Sequence, residues 1–177
     1  MKKTENGTPI VNQEQLIKIL DASPKGITTM GDVGVGKSHV YNQKFKTCNF
    51  DPEGRVYSAN KISSIYAAGG MDAITDKFSY ELQGRLPLII DDIGTEIIMG
   101  HYGTKLDVVQ WLILECYNAD TKMYFTTNLT LEALTVRYGK RVMDRIKEKT
   151  YIIVLEGDSH RERVYQNTEK ELDILLK

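Results

Sequence analysis

Apolar residues along this chain fall in short segments of two kinds, which alternate from one terminus to the other. Short β-branched or continuously apolar segments are typical of strands covered on both faces of a sheet, and we predict strands over 26–30, 55–59, 86–90, 122–126 and 151–155. Segments with helical spacing predict helices over 12–21, 37–46, 60–68, 71–82, 105–118, 131–138, 140–148 and 168–176. This alternation predicts an α/β fold, a parallel five-stranded sheet flanked by helices.

Glycines and capping residues set the expected ends of several elements. Gly69-Gly70 separates two helical segments, and Gly139 ends a helix that Thr130 begins as its N-cap. The segment 94–104 contains glycines at 94, 100 and 103, and we predict a loop there.

The composition is that of an ordinary globular protein, with 177 residues, of which 41% are hydrophobic and 27% charged. We expect a short N-terminal helix and linker over 1–25, one domain over 26–165, and a helical tail over 166–177. No apolar run approaches the roughly 20 residues that cross a bilayer. The start, MKKTENGTPI, leads into polar residues rather than a signal-peptide core, so we expect a cytoplasmic protein.

The net charge of −1 does not favour nucleic-acid binding over the whole surface. One local patch remains, since residues 137–149 contain six basic and two acidic side chains. A solvated helix face is the plain alternative for that patch. Cys48 and Cys116 are far apart in sequence, and we expect two reduced thiols, with Cys116 buried in a helix.

Residues 31–38 read GDVGVGKS and match the pattern G-x-x-x-x-G-K-[ST]. A predicted strand precedes them and a predicted helix follows. Glycines let backbone N–H groups turn toward a phosphate at a helix N-terminus, where the helix dipole favours anions. Lys37 would contact the β- and γ-phosphates of ATP, and Ser38 would offer its hydroxyl to Mg²⁺. The alternative is a glycine-rich turn that contains a lysine by chance.

Asp91 and Asp92 directly follow the predicted strand 86–90. A carboxylate at the end of a buried strand is costly unless it is paired or coordinates a metal. We therefore expect Asp91 to hold Mg²⁺ and Asp92 to orient or deprotonate the attacking water. Many ATPases of this kind use Glu there, and because Asp is shorter we expect slow hydrolysis. The alternative is a pair of capping residues.

Polar and cationic side chains follow the last predicted strands. Asn128 comes after the strand 122–126 and would position water near the γ-phosphate, although an ordinary loop asparagine is the alternative. Arg145, Arg161 and Arg163 are cations of the kind that stabilise charge on a transferring phosphoryl group. Surface arginines are common, so position alone does not decide their role.

Four stretches in this order resemble one family. They are the phosphate loop with GKSH, the block DDIGTE from Asp91 to Glu96, the stretch TTNLT and the stretch YGKRVMDR. Together they resemble the AAA+ ATPases of the DnaC/IstB group, which are bacterial helicase loaders and transposition helper ATPases. The resemblance covers about residues 12–165, and DSHRERV at 158–164 is similar to the end of the loader ATPase domain.

The resemblance implies a P-loop NTPase of the AAA+ type with a central sheet of strand order 5-1-4-3-2. It implies that ATP binds along the Walker A loop and the residue after it, which are Gly31, Asp32, Val33, Gly34, Val35, Gly36, Lys37, Ser38 and His39. Asp91 and Asp92 match the Walker B acids, so the implied metal ligands are Ser38 and Asp91.

The resemblance also implies which residues complete the site. Asn128 matches the sensor 1 residue, and Arg145 matches the finger that reaches the ATP of a neighbouring subunit, with Arg141 as a second candidate. Arg161 matches the sensor 2 arginine, with Arg163 close behind.

The expected function is that of an ATP-dependent switch in DNA replication or transposition, of a phage or a mobile element, whose slow hydrolysis is stimulated by a partner or DNA. The expected partners are other copies of the chain, a replicative helicase or transposase, and single-stranded DNA. Only about 25 residues precede the first predicted strand, so we expect no N-terminal partner-binding domain of the usual kind. The alternatives are a monomeric P-loop kinase or nucleotide hydrolase, with 94–104 as its lid, and a module that holds nucleotide with little turnover.

Overall fold

The computed structural model describes residues 2–45 and 55–159. Its strands are β1 (Ile10–Val11), β2 (Gly26–Met30), β3 (Tyr57–Ser58), β4 (Leu88–Asp91), β5 (Met99–His101), β6 (Thr104–Leu106), β7 (Met123–Thr127) and β8 (Thr150–Leu155). Its helices are α1 (Gln13–Ala22), α2 (Lys37–Phe45), α3 (Ala59–Lys77), α4 (Val108–Asn118), α5 (Leu131–Tyr138) and α6 (Lys140–Lys149). Across these two described ranges, every helix is too short or too polar for a bilayer crossing.

The main sheet has six parallel strands in the order β1-β8-β2-β7-β4-β3. Its last five strands are the five predicted from sequence, and their order is the expected 5-1-4-3-2. The sixth strand is β1, which pairs Ile10 with Val154 at the edge of the sheet. Two apolar residues carry no periodic pattern, so this strand within the predicted helix-and-linker segment 1–25 was missed.

The segment 94–104 contains structure where we predicted a loop. Strands β5 and β6 form an antiparallel hairpin whose turn residues, Tyr102 and Gly103, have φ angles of 44° and 82°. Two positive φ values are what a tight hairpin turn requires. Helix α4 begins after this hairpin, later than residue 105, because the Asp107 side chain caps it by accepting from Gln110 N at 3.1 Å.

Helix α3 joins two predicted helices across a kink. Gly70 has φ 65° and ψ −156° inside it, which confirms the break predicted at Gly69-Gly70. The helix begins at Ala59 because the Ser58 side chain accepts a hydrogen bond from Lys61 N at 3.2 Å. This cap shortens the predicted strand 55–59 to the two residues of β3.

The hydrophobic core lies in two layers, one on each face of the sheet. Successive strand residues point to opposite faces, so Leu88 and Ile90 pack with helices α3 to α6 while Ile89 packs with α1 and α2. Cys116 is a buried free thiol in α4, as predicted. Cys48 and the predicted helix 168–176 lie outside the described residues. The carboxyl ends of β2, β4 and β7 meet at one edge, where ligands of parallel sheets bind.

Candidate functional site

The loop between β2 and α2 is built on two positive-φ glycines. Gly34 and Gly36 have φ angles of 88° and 98°, which side chains with a Cβ rarely adopt. Between them, the Val35 side chain is 4% exposed and packs in the layer formed with α1 and α2. The Val35 carbonyl accepts a hydrogen bond from Gln13 Nε2 at 2.9 Å. The loop is therefore fixed to the core while its backbone takes the conformations typical of phosphate-binding loops.

Lys37 is the first residue of α2, and only 5% of it is exposed. Its Nζ donates hydrogen bonds to Gly31 O at 2.7 Å, to Asp32 O at 2.8 Å and to Asn128 Oδ1 at 2.5 Å. A buried ammonium group needs such acceptors to offset its desolvation. These contacts hold a positive charge at the N-terminus of α2, beside the end of β7.

Helix α2 is anchored to the sheet through Tyr41, which is fully buried. Its hydroxyl lies 2.9 Å from Thr29 Oγ1 and 3.1 Å from both Ile27 O and Phe125 O. Burial raises the pKa of Tyr41, so the phenol stays protonated. The helix that begins with Lys37 is thereby tied to both β2 and β7.

Ser38 faces the first of the two acids that follow β4. Its Oγ donates to Asp91 Oδ1 at 2.9 Å. The Thr126 hydroxyl, from β7, donates to the same oxygen. Two donors from different elements therefore orient the Asp91 carboxylate beside the Ser38 hydroxyl.

Asp92 has a φ of 59°, which is uncommon for a residue other than glycine. Its N–H donates to Thr126 Oγ1 at 2.9 Å, and its Oδ1 accepts from Asn128 Nδ2 at 2.9 Å. Left-handed residues of this kind are concentrated at functional sites, where neighbouring contacts sustain the strain. Here those contacts come from β7 and the residue that follows it.

The hydrogen bonds described above form one connected network around the loop. In order it runs through Ser38, Asp91, Thr126, Asp92, Asn128 and Lys37. Its two ends, Lys37 and Ser38, are adjacent residues at the start of α2. Three segments distant in sequence, the start of α2 and the ends of β4 and β7, thus contribute to a single site.

A cleft of about 360 Å³ lies over this network. Its walls are formed by Gln13, Val33, Gly34, Gly36, Lys37, Ser38, His39, Asp92 and Asn128. Most of the residues proposed from sequence as nucleotide ligands therefore line one cavity. Gly31 and Asp32 contribute carbonyls to Lys37, whereas the Val35 side chain points into the core.

Arg145 lies on α6, and it is not among the residues that line this cleft within the described part of the chain. Its guanidinium lies 4.9 Å from the centre of the Tyr117 ring, and its Nη1 donates to Arg141 O at 3.1 Å. A role at the site of another subunit stays a prediction. Arg161 and Arg163 lie outside the described residues.

Two members of the site were missed in the sequence. Thr126 contacts both acids, yet it lies in the β-branched run KMYFT, where a threonine looks like an ordinary strand residue. Gln13 lines the cleft from the first turn of α1. Thr126 contacts the acids because of the strand order of the sheet, and Gln13 lines the cleft because of the packing of α1. A local sequence pattern contains neither kind of information.

The residues present fit a nucleotide phosphate and Mg²⁺. Within residues 2–45 and 55–159, no group of three or more His, Cys, Asp and Glu side chains could hold a metal. Mg²⁺ does not need such a group, because it commonly binds one or two carboxylates together with substrate phosphates and water. Ser38 Oγ and Asp91 Oδ1, 2.9 Å apart, are a donor set of that kind beside a positive-φ loop.

Solved structures of known proteins share this architecture. The crystal structure of the DnaC helicase loader matches with a TM-score of 0.60 and 22% identity, over 87% of this chain and 96% of that one. The crystal structure of DnaI matches with a TM-score of 0.59 and 19% identity, over 81% and 83% of the two chains. AMPPCP-bound DnaA from Aquifex aeolicus matches with a TM-score of 0.57 and 18% identity, over 89% of this chain and 49% of that one.

No protein-family model matches the sequence, and no curated protein matches it. The match at the level of structure covers nearly all of the DnaC chain and about half of the DnaA chain. The chain therefore shares the fold of the DnaC helicase loader, DnaI and DnaA.

Proposed function

We propose that this chain is an ATPase that binds ATP with Mg²⁺ in the cleft over α2 and acts as a nucleotide-dependent switch. The observation that supports this most directly is the continuous hydrogen-bond network that joins Lys37 and Ser38 to both acids and to Asn128. A phosphate loop alone would predict phosphate binding. Its direct connection to two carboxylates and an amide supports hydrolysis as well.

Each residue of the site has a separate task in this proposal. The loop N–H groups and Lys37 bind the β- and γ-phosphates. Ser38 and Asp91 hold Mg²⁺, which would supply charge neutralisation on the phosphate oxygens. Asp92 accepts a proton from the attacking water or orients it, and Asn128 fixes the direction of the Asp92 carboxylate.

Three of the structural neighbours support a role in DNA replication. Two are a helicase loader and DnaI, and a third is DnaA, described as bound to AMPPCP. We propose that this chain likewise acts in replication or transposition, together with a replicative helicase or transposase and single-stranded DNA. Self-association would place Arg145 of one subunit at the ATP of the next, with Arg161 acting within its own site.

A monomeric kinase is a weaker alternative because it needs a lid over its substrate. The segment proposed as that lid forms the hairpin of β5 and β6, which is bound to α3. His101 Nδ1 lies 3.1 Å from Ala67 O, and Tyr66 OH donates to Thr104 O at 3.2 Å. None of the residues named as lining the cleft comes from this hairpin, within the ranges that the structure describes.

The decisive experiment measures nucleotide binding and turnover on the same protein. We expect the full chain to bind a fluorescent ATP analogue and to release phosphate slowly in the presence of Mg²⁺. We expect Lys37→Ala to abolish binding and Asp92→Asn to retain binding but lose turnover. Lys18→Ala, which changes an exposed lysine of α1, is the matched control and should behave like the wild type.

The same measurements separate the alternatives. Binding without turnover, unchanged in Asp92→Glu, would support a module that only holds nucleotide. Light scattering that does not rise with ATP would favour a monomeric enzyme. Failure of the wild-type chain to bind any nucleoside triphosphate would exclude the proposal altogether.

A further inference from the structure

A second polar cluster lies behind the Asp92 loop and takes no direct part in the nucleotide site. Its centre is Glu96, whose side chain is only 1% exposed. Glu96 Oε1 accepts hydrogen bonds from Arg137 Nη2 at 2.8 Å and from Tyr138 OH at 2.6 Å. Glu96 Oε2 accepts from Gly94 N at 2.8 Å. Burying a carboxylate and its donors costs desolvation free energy, and apolar residues could fill the same volume without that cost.

The partners of Glu96 are themselves joined to each other and to α4. Gly94 N also lies 2.8 Å from Tyr138 OH, so the loop amide is shared between the phenol and the carboxylate. Arg137 Nη1 donates to Asp107 Oδ2 at 2.5 Å, and Asp107 is the N-cap of α4. Burial, and then the charge of Glu96, raise the pKa of Tyr138, so the phenol stays a hydrogen-bond donor.

The residues of this cluster belong to the two segments of the chain that carry Asp92 and Asn128. Gly94 comes two residues after Asp92, and Arg137 and Tyr138 are the last residues of α5, the helix that follows Asn128. The two segments that carry Asp92 and Asn128 are thus joined a second time, behind the site. These two segments pack closely against each other, because a Cβ at Gly94 would lie 2.6 Å from Leu129 Cδ1.

We propose that Glu96, Arg137 and Tyr138 are positioning residues that hold Asp92 and Asn128 in their mutual orientation and connect this pair to the end of α5. The inference rests on the proposed ATPase function. It adds that the geometry of Asp92 and Asn128 depends on α5, which leads through Gly139 into α6, the helix of Arg145. A displacement of α6 would then reach the Asp92 loop through Tyr138 and Arg137.

Tyr138→Phe is the sharpest test because it removes one hydroxyl and leaves the buried ring in place. We expect kcat to fall about tenfold while KM and analogue affinity stay within about twofold, since misplacement affects the reacting group more than phosphate binding. We also expect faster amide hydrogen exchange in the peptide that contains residues 92–96. Tyr80→Phe, at a tyrosine that is 55% exposed, is the matched control and should change neither quantity.

Glu96→Gln provides a second variant, because it keeps the size of the side chain and removes its charge. We expect the same loss of kcat, and a Glu96→Gln/Tyr138→Phe double variant no slower than the worse single variant, as residues acting as one unit are not additive. Unchanged hydrogen exchange over 92–96 in both folded single variants would overturn the inference, whether or not the protein hydrolyses ATP. Parallel losses of affinity, kcat and melting temperature would also overturn it, because they indicate a merely structural cluster.

Discussion

Asn128 donates a hydrogen bond from its Nδ2 to Asp92 Oδ1 over 2.9 Å. The oxygen of the same amide accepts from Lys37 Nζ at 2.5 Å. One exposed side chain at the end of β7 therefore connects the acid after β4 with the lysine of the phosphate loop. Because an amide has a donor end and an acceptor end, the carboxylate of Asp92 and the ammonium group of Lys37 together fix its orientation.

Replacing Asn128 by Ala should slow hydrolysis without preventing nucleotide binding. The variant keeps the loop and Lys37, but it leaves the Asp92 carboxylate without the donor that orients it. We expect kcat to fall about 10- to 100-fold and the affinity for an ATP analogue to change by less than about threefold. A phosphate-release assay checks the change in kcat, and titration with the ATP analogue checks the affinity. Asn118→Ala, at the exposed end of α4, is the control, and an equal effect there would contradict the assignment.

Replacing Thr126 by Val should weaken the affinity of the site for Mg²⁺. The two side chains have similar shapes, but Val removes the hydroxyl that donates to Asp91 and accepts from Asp92 N at 2.9 Å. The part-buried Asp92 amide would lose its partner, at a cost of roughly 1 kcal/mol. We expect a higher Mg²⁺ concentration for half-maximal hydrolysis and a lower melting temperature.

Thr28→Val is the matched control for that change. Thr28 is also a fully buried threonine of the central sheet, but its hydroxyl pairs with Thr150 Oγ1 at 2.8 Å, away from the acids. It should lower stability without altering the Mg²⁺ dependence. If both variants shift the Mg²⁺ requirement equally, the effect is one of stability and not of metal binding.

Local patterns account for the parts of this molecule that could be predicted. The residues of the loop 31–38 that bind phosphate in the prediction are adjacent in sequence, and β2, β4, β7 and β8 are short runs of mainly apolar or β-branched residues. Strand order came from the family resemblance and agrees with the structure. Positions that follow a strand were informative for Asp91 and Asn128, because parallel strands place their carboxyl ends together.

The remaining features depend on contacts between distant segments. In the pairing of β7 with β4, Phe125 lies opposite Ile90, and this register brings the hydroxyl of the next residue, Thr126, to the acids. Glu96 was part of the recognised block DDIGTE, yet its partners Arg137 and Tyr138 lie some 40 residues later. The spacing of these residues along the chain does not predict that they are in contact. The β5–β6 hairpin was missed because its strands are short and its turn rests on a left-handed tyrosine.

The thiol of Cys116 should make stability fall at alkaline pH. Burial raises its pKa to about 12, so the native state keeps the proton between about pH 9 and pH 12 while the unfolded chain loses it. Because the native state then binds more protons, stability decreases as pH rises, by about 1.4 kcal/mol at pH 10 from this group. Urea unfolding at pH 7.5 and pH 10 checks this. We expect Cys116→Ala to be less stable than the wild type at pH 7.5, and the difference between the two to narrow at pH 10.

Arg145 and Lys37 should belong to the same functional site only when they come from different subunits. Arg145 is held over the Tyr117 ring on α6, and it is absent from the cleft walls formed by the described residues. We therefore expect Arg145→Ala to bind nucleotide normally and to hydrolyse it at least about tenfold more slowly. Its melting temperature should fall only slightly, since an exposed cation–π contact contributes about 0.5–1 kcal/mol.

Mixing two inactive variants tests the shared site directly. In a head-to-tail assembly of Arg145→Ala and Lys37→Ala in equal amounts, roughly a quarter of the interfaces combine an intact Lys37 with an intact Arg145 of the neighbour. We expect the mixture to recover about that fraction of wild-type phosphate release, whereas neither variant alone does. Lys147→Ala, which removes an exposed charge from the same helix, should retain activity and assembly. A mixture no more active than its components, in spite of ATP-dependent light scattering, would mean that Arg145 does not act across subunits.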